Sequence, residues 1–281
     1  MKSFLSLIFL ITFLYSNQND KITWLINDAP PFYINEGKFK NEGFGDLFQK
    51  LIIKDLSNYN HEIKQSALSR VIKNFQHKKN VCFSTWIYNT TPEYVITSIP
   101  NVYYEPLGII TRKENKEFFA KIPISLDNLM ANEKFIFIQG MGRGYGLPLD
   151  EIVNKYKEKP NFKIRKSSKN ITDAIFEMIK RKRVDYTIDY YSSLSFYNAR
   201  NKDNNQLIFL PIEENYEKGV LGSIACSKSP WGKKVIEDIN KSIEKLRDKD
   251  EYKEIFSKWL VPKENSTSYW NNYKNLIEDF K

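Results

Sequence analysis

Cysteine and histidine are scarce in this chain of 281 residues, which contains two of each. His61 and His77 both lie in polar segments, so neither is placed like the histidine of a Ser-His-Asp or Cys-His nucleophile site. Four such residues spread along the chain also fall short of the ligand set that a zinc ion requires. We therefore expect no metal, no cofactor and no nucleophilic catalysis of these kinds.

The two cysteines, Cys82 and Cys226, lie in the apolar segments NVCFSTW and GSIACSK. An even number of cysteines permits one disulfide in an oxidising compartment. Two buried free thiols are the alternative, and the residues alone leave both interpretations open.

Long hydrophobic runs are absent after the N-terminus. Residues 4–15 form one apolar run behind Lys2, and small and polar residues follow it. A run of about 12 residues is too short to span a bilayer but has the length of a signal-peptide core. We expect a signal peptide over residues 1–16, with Ser16 as its last residue, and a periplasmic mature chain. No cysteine lies near enough for a lipid anchor, and a retained N-terminal membrane helix is the alternative.

Clustered charge is also lacking, although 43 Lys and Arg residues against 34 Asp and Glu residues give a net charge of +9. The basic side chains alternate with acidic ones, as in KIPISLDNLMANEK, and do not form the basic patch of a nucleic-acid-binding protein. The segment GMGRGYG departs from the nucleotide signature as well, because the third glycine of GxGxxG is replaced by Tyr145. We expect neither nucleic acid nor nucleotide as a partner.

Strand patterns alternate with amphipathic helix patterns along the chain. KITWLIND, HEIKQSA and VCFSTW read as strands, and GFGDLFQKLIIKDL and SRVIKNFQHKK read as helices, the latter with Ser69 as a candidate cap. A second alternating unit runs from LGIITRK to VLGSIACSK, and a helical tail follows it. This order predicts an α/β fold with mostly parallel sheets, which bind ligands beyond the carboxyl ends of their strands. Those ends carry Asn27, Asp28, Ser84, Thr85 and Trp86.

Several segments, in their order, resemble the extracellular solute-binding proteins of family 3, which have the two-lobed type II periplasmic binding protein fold. The matching segments are ITWLINDAPPF, GFGDLFQKL, TPEYVITSIPNVYYEPLGIITRKEN, RKRVDYTIDYY and ACSKSPWGKKVIEDINKSIEKL. The stretch CSKSPWG is similar to a poorly characterised, transporter-like branch of that family. The resemblance covers nearly all of the mature chain and rests on the order of the segments rather than on one motif.

The resemblance implies two lobes, each a mixed, mostly parallel sheet flanked by helices. Lobe 1 would comprise residues 17–108 and 226–281, and lobe 2 residues 109–225. Crossover strands at residues 107–113 and 220–228 would form the hinge on which the lobes close over a solute.

It also implies a site in which Tyr94 replaces the arginine that clamps the solute carboxylate in amino-acid binders of the family. The lobe-2 aspartate that pairs with the solute ammonium falls at Asp189 or Tyr190, and the sequence leaves the two open. Since both charged anchors are missing if Tyr190 occupies that place, a plain amino acid is not the expected solute. Further ligand-binding candidates are Asp28, Phe32, Arg70, Trp86, Asn89, Arg143 and Tyr145; Tyr33 and Tyr191 are additional aromatic candidates.

Each candidate has a structural alternative: the aromatic residues suit a core, and the two arginines suit a solvated surface. Arg143 is expected at a helix N-terminus, where backbone N–H groups favour anions. The function implied is that of an exported, monomeric, non-enzymatic protein that captures a small polar, aromatic or anionic organic solute for an ABC-type permease. The alternatives are a periplasmic sensing module that signals to a membrane receptor and a dehydratase-like enzyme on the same fold.

Overall fold

The computed structural model describes residues 21–88, 90, 92–118, 122–166, 170–201, 206–216, 219–261, 266–277 and 280. The expected signal peptide, residues 1–16, and the candidate Asn89 lie outside the described residues. Within them, no helix combines the length and the apolar character needed to cross a bilayer.

The first of two β-sheets has six strands in the order β2-β1-β3-β11-β4, and β5 also pairs with β11. β1 runs parallel to β2 and β3, whereas β11 is antiparallel to β3, β4 and β5. The strands are β1 (Lys21–Ile26), β2 (Asn60–Gln65), β3 (Val81–Ile87), β4 (Val95–Thr97), β5 (Val102–Tyr104) and β11 (Val220–Ser227).

The second sheet has five strands in the order β10-β6-β9-β7-β8. β7 runs parallel to β8 and β9, and β6 is antiparallel to β9 and β10. The strands are β6 (Gly108–Arg112), β7 (Phe137–Gly140), β8 (Phe162–Arg165), β9 (Tyr186–Asp189) and β10 (Leu207–Pro211). Two mixed sheets with parallel pairs confirm the α/β class.

Helices flank both sheets. The helices that come before β6 or after β11 in the chain are α1 (Phe44–Asp55), α2 (Leu68–Gln76), α7 (Pro230–Leu246), α8 (Asp250–Ser257) and α9 (Ser266–Ile277). Those between β6 and β11 are α3 (Leu126–Ala131), α4 (Leu149–Lys155), α5 (Ile171–Lys180) and α6 (Tyr191–Arg200). A 3-10 helix, Lys113–Phe118, follows β6.

Apolar spacing and capping place α1 as the sequence predicts. Phe44, Phe48, Leu51 and Ile52 form its buried face, and each has an exposed fraction of 6% or less. At its start, Asp46 Oδ2 accepts hydrogen bonds from the backbone N–H of the cap residue Gly43 (3.1 Å) and of Ile34 (2.9 Å) in the preceding loop, which fixes that loop against the helix start.

The expected cap of α2 is wrong, because that helix begins one residue before Ser69. Ala67 occupies the cap position, and no side chain accepts a hydrogen bond there.

The chain passes from the first sheet to the second between β5 and β6, and it returns between β10 and β11. β6 pairs wholly within the second sheet and β11 wholly within the first. The expected boundary between residues 225 and 226 therefore falls inside a continuous strand of the first sheet. The change of sheet precedes Val220.

Cys82 and Cys226 are directly opposite each other on β3 and β11. Both are completely buried, and their sulfur atoms are 2.00 Å apart in a disulfide. The bond joins the returning strand to a strand that precedes both sheet crossings, so it closes a loop with a sequence separation of 144 residues.

Reduction of this disulfide is expected to destabilise the protein by about 2–4 kcal/mol, since a long covalent loop restricts the unfolded chain. Urea unfolding with and without dithiothreitol measures the difference. The double variant Cys82→Ala/Cys226→Ala is the control, and its unfolding midpoint should not respond to the reductant. An equal midpoint for the oxidised and reduced wild type would contradict the expectation.

Candidate functional site

Two adjoining cavities lie between the sheets, with volumes of about 50 and 200 Å³. Their walls come from the chain that follows β1, the end of β3, the loop after β7 and the end of β9. This is the edge of the sheets at which the sequence places a ligand site. The walls of both cavities include Asn27, Ala29, Leu68 and Arg143.

The larger cavity has aromatic walls. Phe32, Tyr104 and Tyr190 contact one another with ring centroids 5.3–5.6 Å apart, so the two sides of the cleft touch through these rings. Phe83, Trp86 and Tyr94 complete the aromatic lining. Trp86 is held by a 2.6 Å hydrogen bond from its Nε1–H to the carbonyl oxygen of Thr90. A flat or apolar group fits such walls.

Three polar atoms of the residues that line the larger cavity lack a hydrogen-bond partner among the described residues. They are Asn27 Oδ1, Tyr104 Oη and Arg143 Nε, and each is buried. Buried polar groups in folded proteins are nearly always hydrogen-bonded, and leaving one unpaired costs about 1–3 kcal/mol. The residues that line the cavity therefore carry one acceptor, one hydroxyl and one cationic donor without partners.

Arg143 is the cationic side chain shared by the two cavities. Its Nη2 donates to Asp189 Oδ1 at 3.2 Å, and its guanidinium carbon lies 5.4 Å from the ring centroid of Tyr190. Burial is the largest single effect and lowers the pKa of Arg143, but the charge of Asp189, together with Tyr190, Tyr145 and Tyr104, raises the pKa above its ordinary value. Asp189 Oδ1 also accepts hydrogen bonds from Tyr190 N (2.8 Å) and Ser193 Oγ (3.0 Å), which fixes the carboxylate that orients the arginine.

The loop after β7 carries Arg143 to the cleft because glycine lies beside it. Gly142 has φ +84°, and a Cβ atom there would lie 3.1 Å from the backbone N of Ser69 on α2. Only glycine adopts that conformation readily and allows the two sides of the cleft to approach so closely.

The expected anion site on the backbone of this loop is wrong. The N–H groups of Tyr145 and Gly146 donate to the two carboxylate oxygens of Asp150, at 2.8 and 2.9 Å. An anion thus meets the side chain of Arg143 rather than a free helix start.

Asp28 connects the two sides of the cleft at the smaller cavity. Its Oδ2 accepts a 2.8 Å hydrogen bond from the backbone N of Asn170, the residue that caps α5. Burial raises the pKa of Asp28, the hydrogen bond from Asn170 partly offsets this, and the negative charge of Glu36 adds to the rise. The contact is therefore stabilising as a hydrogen bond and unfavourable as a buried charge.

Some of the remaining candidates line a cavity, and the others lie in the core or on the surface. Tyr145 and Asp189 line the smaller cavity, whereas Tyr94 and Tyr190 line the larger one. Arg70 is exposed on α2 and lines neither cavity. Tyr33 is in the core, and the side chain of Tyr191 is half exposed.

Sequence reasoning missed Tyr104 and Asn170. Tyr104 looks like any buried strand residue in NVYY, and its place in the cavity depends on contacts with Phe32 and Tyr190 from distant parts of the chain. Asn170 precedes the helical pattern ITDAIF, so its role as a helix cap is recognisable from the sequence. Its hydrogen bond with the distant Asp28 is not.

Solved structures share this architecture. An ancestral arginine-binding protein bound to arginine has a TM-score of 0.64 and 21% identity, over 85% of this chain and 98% of the other. AbpA, an amino acid ABC transporter substrate-binding protein from Streptococcus pneumoniae bound to L-arginine, has a TM-score of 0.61 and 17% identity, over 86% of this chain and 95% of the other. The periplasmic VFT2 domain of BvgS from Bordetella pertussis has a TM-score of 0.60 and 16% identity, over 86% of this chain and 94% of the other.

These similarities confirm the expected two-lobed α/β fold of periplasmic binding proteins, and at such identities they show the fold alone. No protein-family model and no curated protein matches the chain.

Replacing Asp28 with Asn is expected to raise the urea midpoint at neutral pH, since Asn keeps an oxygen for the N–H of Asn170 but carries no charge. Because folding raises the pKa of Asp28, ionisation of this group weakens the fold as the pH rises above about 4. The advantage of the variant should therefore shrink as the pH falls below that value. Urea unfolding of both proteins between about pH 3 and pH 8 tests this.

The matched control is Asp248→Asn, which removes a carboxylate that is exposed and outside the cleft. Its midpoint should differ little from that of the wild type at any pH. An Asp28→Asn variant that is less stable at pH 7, or whose advantage grows toward acid pH, would show that the charge of Asp28 is favourable in the fold.

Proposed function

We propose that this chain is an exported solute-binding protein whose two lobes close over a small organic solute with a flat or apolar portion and at least one anionic group. The observation that carries the proposal is the set of buried, unpaired polar atoms on an aromatic-lined cavity between two lobes. Such a cavity is complementary to a solute that supplies the missing hydrogen bonds and excludes water from the rings.

Arg143 supports the anionic group. Its Nη2 is engaged with Asp189, but its Nε has no partner among the described residues. A carboxylate or similar oxyanion at this edge gains a charge-assisted hydrogen bond, which is roughly twice as strong as a neutral one. Tyr104 Oη supplies a second donor in the same cavity.

The side chains that line the larger cavity do not favour a plain α-amino acid as the solute. Tyr94 lines the larger cavity at the place where the resemblance puts the arginine for the carboxylate. The aspartate for the ammonium falls at Asp189, which lines the smaller cavity, or at Tyr190, which lines the larger one. A tyrosine offers one hydroxyl and a ring, so it cannot form the bidentate contact of a guanidinium. Arg143 is the one cation among the described residues that line the two cavities, so specificity rests on ring stacking and on its guanidinium.

The likeness to an ABC transporter substrate-binding protein supports delivery of the solute to a membrane permease of that type. The apolar N-terminal run supports export to the periplasm, and we infer that the mature chain acts as a monomer. We assign no catalytic role to the cleft. Solute binding would favour closure only as far as the solute prefers the closed lobes.

A thermal-shift screen of the mature chain tests the proposal, with panels of aromatic acids, aliphatic organic acids, free amino acids and short peptides. A solute at about 100 times its dissociation constant stabilises the fold by roughly 2.7 kcal/mol. A dose-dependent rise with aromatic or aliphatic acids supports the proposal. A rise with free amino acids alone would overturn the solute class, and no rise with any panel would count against a solute-binding role.

With the solute identified, Arg143→Ala should weaken its binding by roughly 10- to 100-fold, the loss of a charge-assisted hydrogen bond of about 1.5–3 kcal/mol. Trp86→Ala should also weaken binding, because it removes one aromatic wall, and Trp86→Phe should retain part of the affinity. Isothermal titration calorimetry measures each dissociation constant.

Arg70→Ala is the matched control for charge, since it removes an arginine on the exposed face of α2. Its affinity should equal that of the wild type. Normal binding by both Arg143→Ala and Trp86→Ala would place the solute outside this cleft.

A further inference from the structure

A groove of about 650 Å³ lies among the C-terminal helices, away from the cleft. Its lining runs from Arg247, directly after α7, through the start and end of α8 to Ile277 at the end of α9. It shares no lining residue with the two cleft cavities. The solute site therefore does not account for it.

Arg247 lines this groove and is 4% exposed. Its Nε, Nη1 and Nη2 are all buried, and none has a hydrogen-bond partner among the described residues. A guanidinium remains charged at any physiological pH and carries five N–H donors. Burying such a charge without a partner is among the most unfavourable arrangements in a protein.

Another buried arginine in the same chain shows the usual arrangement. Arg112 is 8% exposed, and its Nη1 donates to the carbonyl oxygens of Ile179 and Val184, each at 2.8 Å. Its Nη2 and Nε donate to the carboxylates of Asp185 (2.6 Å) and Glu114 (3.0 Å). Every nitrogen of Arg112 is thus satisfied, whereas those of Arg247 are not.

The other charged residues of the groove do not neutralise Arg247. Asp248, Asp250 and Glu254 are exposed, as are Lys253 and Lys274. Within the described residues, none of the three acids forms an ion pair with Arg247. The three acidic and two basic residues leave a net charge of −1, and solvent screens it because all five side chains are exposed. The cation of Arg247, in contrast, is buried.

We propose that Arg247 binds the oxyanion of a small ligand, a carboxylate or a phosphate, that enters this groove. Both groups accept two parallel N–H bonds from one guanidinium. The rings of Trp270 and Tyr273 also line the groove and offer a flat surface to the rest of the ligand. Since the nitrogens are shielded from solvent, binding requires the guanidinium to turn toward the groove, a side-chain rearrangement.

Thermal unfolding of the mature chain in inorganic phosphate or in benzoate, each against chloride at equal ionic strength, tests the proposal. Either anion should raise the melting temperature by about 2–4 °C when it saturates the site. A rise with phosphate alone identifies a phosphate ligand, and a rise with benzoate alone identifies a carboxylate if Arg143→Ala, which disables the cleft, retains it. A wild type that responds to neither anion would overturn the proposal, and this result needs no variant.

Arg247→Met is the decisive variant, since it keeps the length of the side chain and removes its charge. It should be at least as stable as the wild type in chloride, because no unpaired charge is buried, and it should lose the response to phosphate and the part of the benzoate response that Arg143→Ala retains. An unchanged response would show that phosphate or benzoate acts through general salt effects. Lower stability in chloride would show that Arg247 already has a structural partner.

Two further variants separate this groove from the cleft and from misfolding. Arg143→Ala removes the cation of the cleft; it should keep the full response to phosphate and lose only the part of the benzoate response that arises from the proposed solute site. Arg247→Lys keeps the charge but not the planar fork, so it should show a smaller response to phosphate. Loss of the response to both anions in Arg143→Ala would place the anion in the cleft and overturn the proposal.

Discussion

The cleft depends on one topological constraint, the two crossings between the sheets. The chain leaves the first sheet after β5 and comes back as β11, so the carboxyl ends of β1 and β3 face those of β7 and β9. Asp28, Trp86, Arg143 and Asp189 are far apart in sequence and come together for this reason alone. The disulfide between β3 and β11 ties the returning strand to the first sheet.

Contacts across the cleft are of two physical kinds. Phe32 and Tyr190 meet through their rings, and this contact loses apolar burial if the lobes separate. The hydrogen bond from Asn170 N to Asp28 is polar, and its acceptor carries a charge that burial disfavours. The ring contact does not depend on pH, whereas burial of Asp28 opposes its ionisation although the hydrogen bond from Asn170 favours the charged form.

Three arginines, of which Arg112 and Arg247 are buried and Arg143 is half-buried, show how local partners determine what a cation does. Arg112 is fully hydrogen-bonded and serves the fold. Arg143 has one nitrogen on Asp189 and one unpaired, so it is both oriented and available. Arg247 has all three nitrogens unpaired. This gradation follows from the neighbours that each side chain meets after folding, since the residue type is the same.

Sequence pattern by itself determined the fold class, the order of most elements and the edge of the sheets that holds the cleft. Apolar periodicity in segments such as GFGDLFQKLIIKDL and KFIFIQG reflects local geometry, which neighbouring residues impose. The patterns did not predict α6 or α9, because YSSLSFYNAR and STSYWNNYKNLI mix aromatic and polar residues without a clear apolar stripe. Arg70 was a wrong candidate for the cleft walls for a related reason: position after a strand does not determine which side of a helix faces the cleft.

Only the tertiary structure decided the pairing of Cys82 with Cys226, the choice between Asp189 and Tyr190 in the larger cavity, and the isolation of Arg247. Each is a contact, or the lack of one, between residues separated by many positions. Strand register and helix packing set such contacts to within an ångström or two, and a one-residue shift reverses the face on which a side chain lies. The periodicity of apolar residues does not determine contacts at that precision. The chemistry of the site therefore has to be inferred from the packed structure of the two sheets.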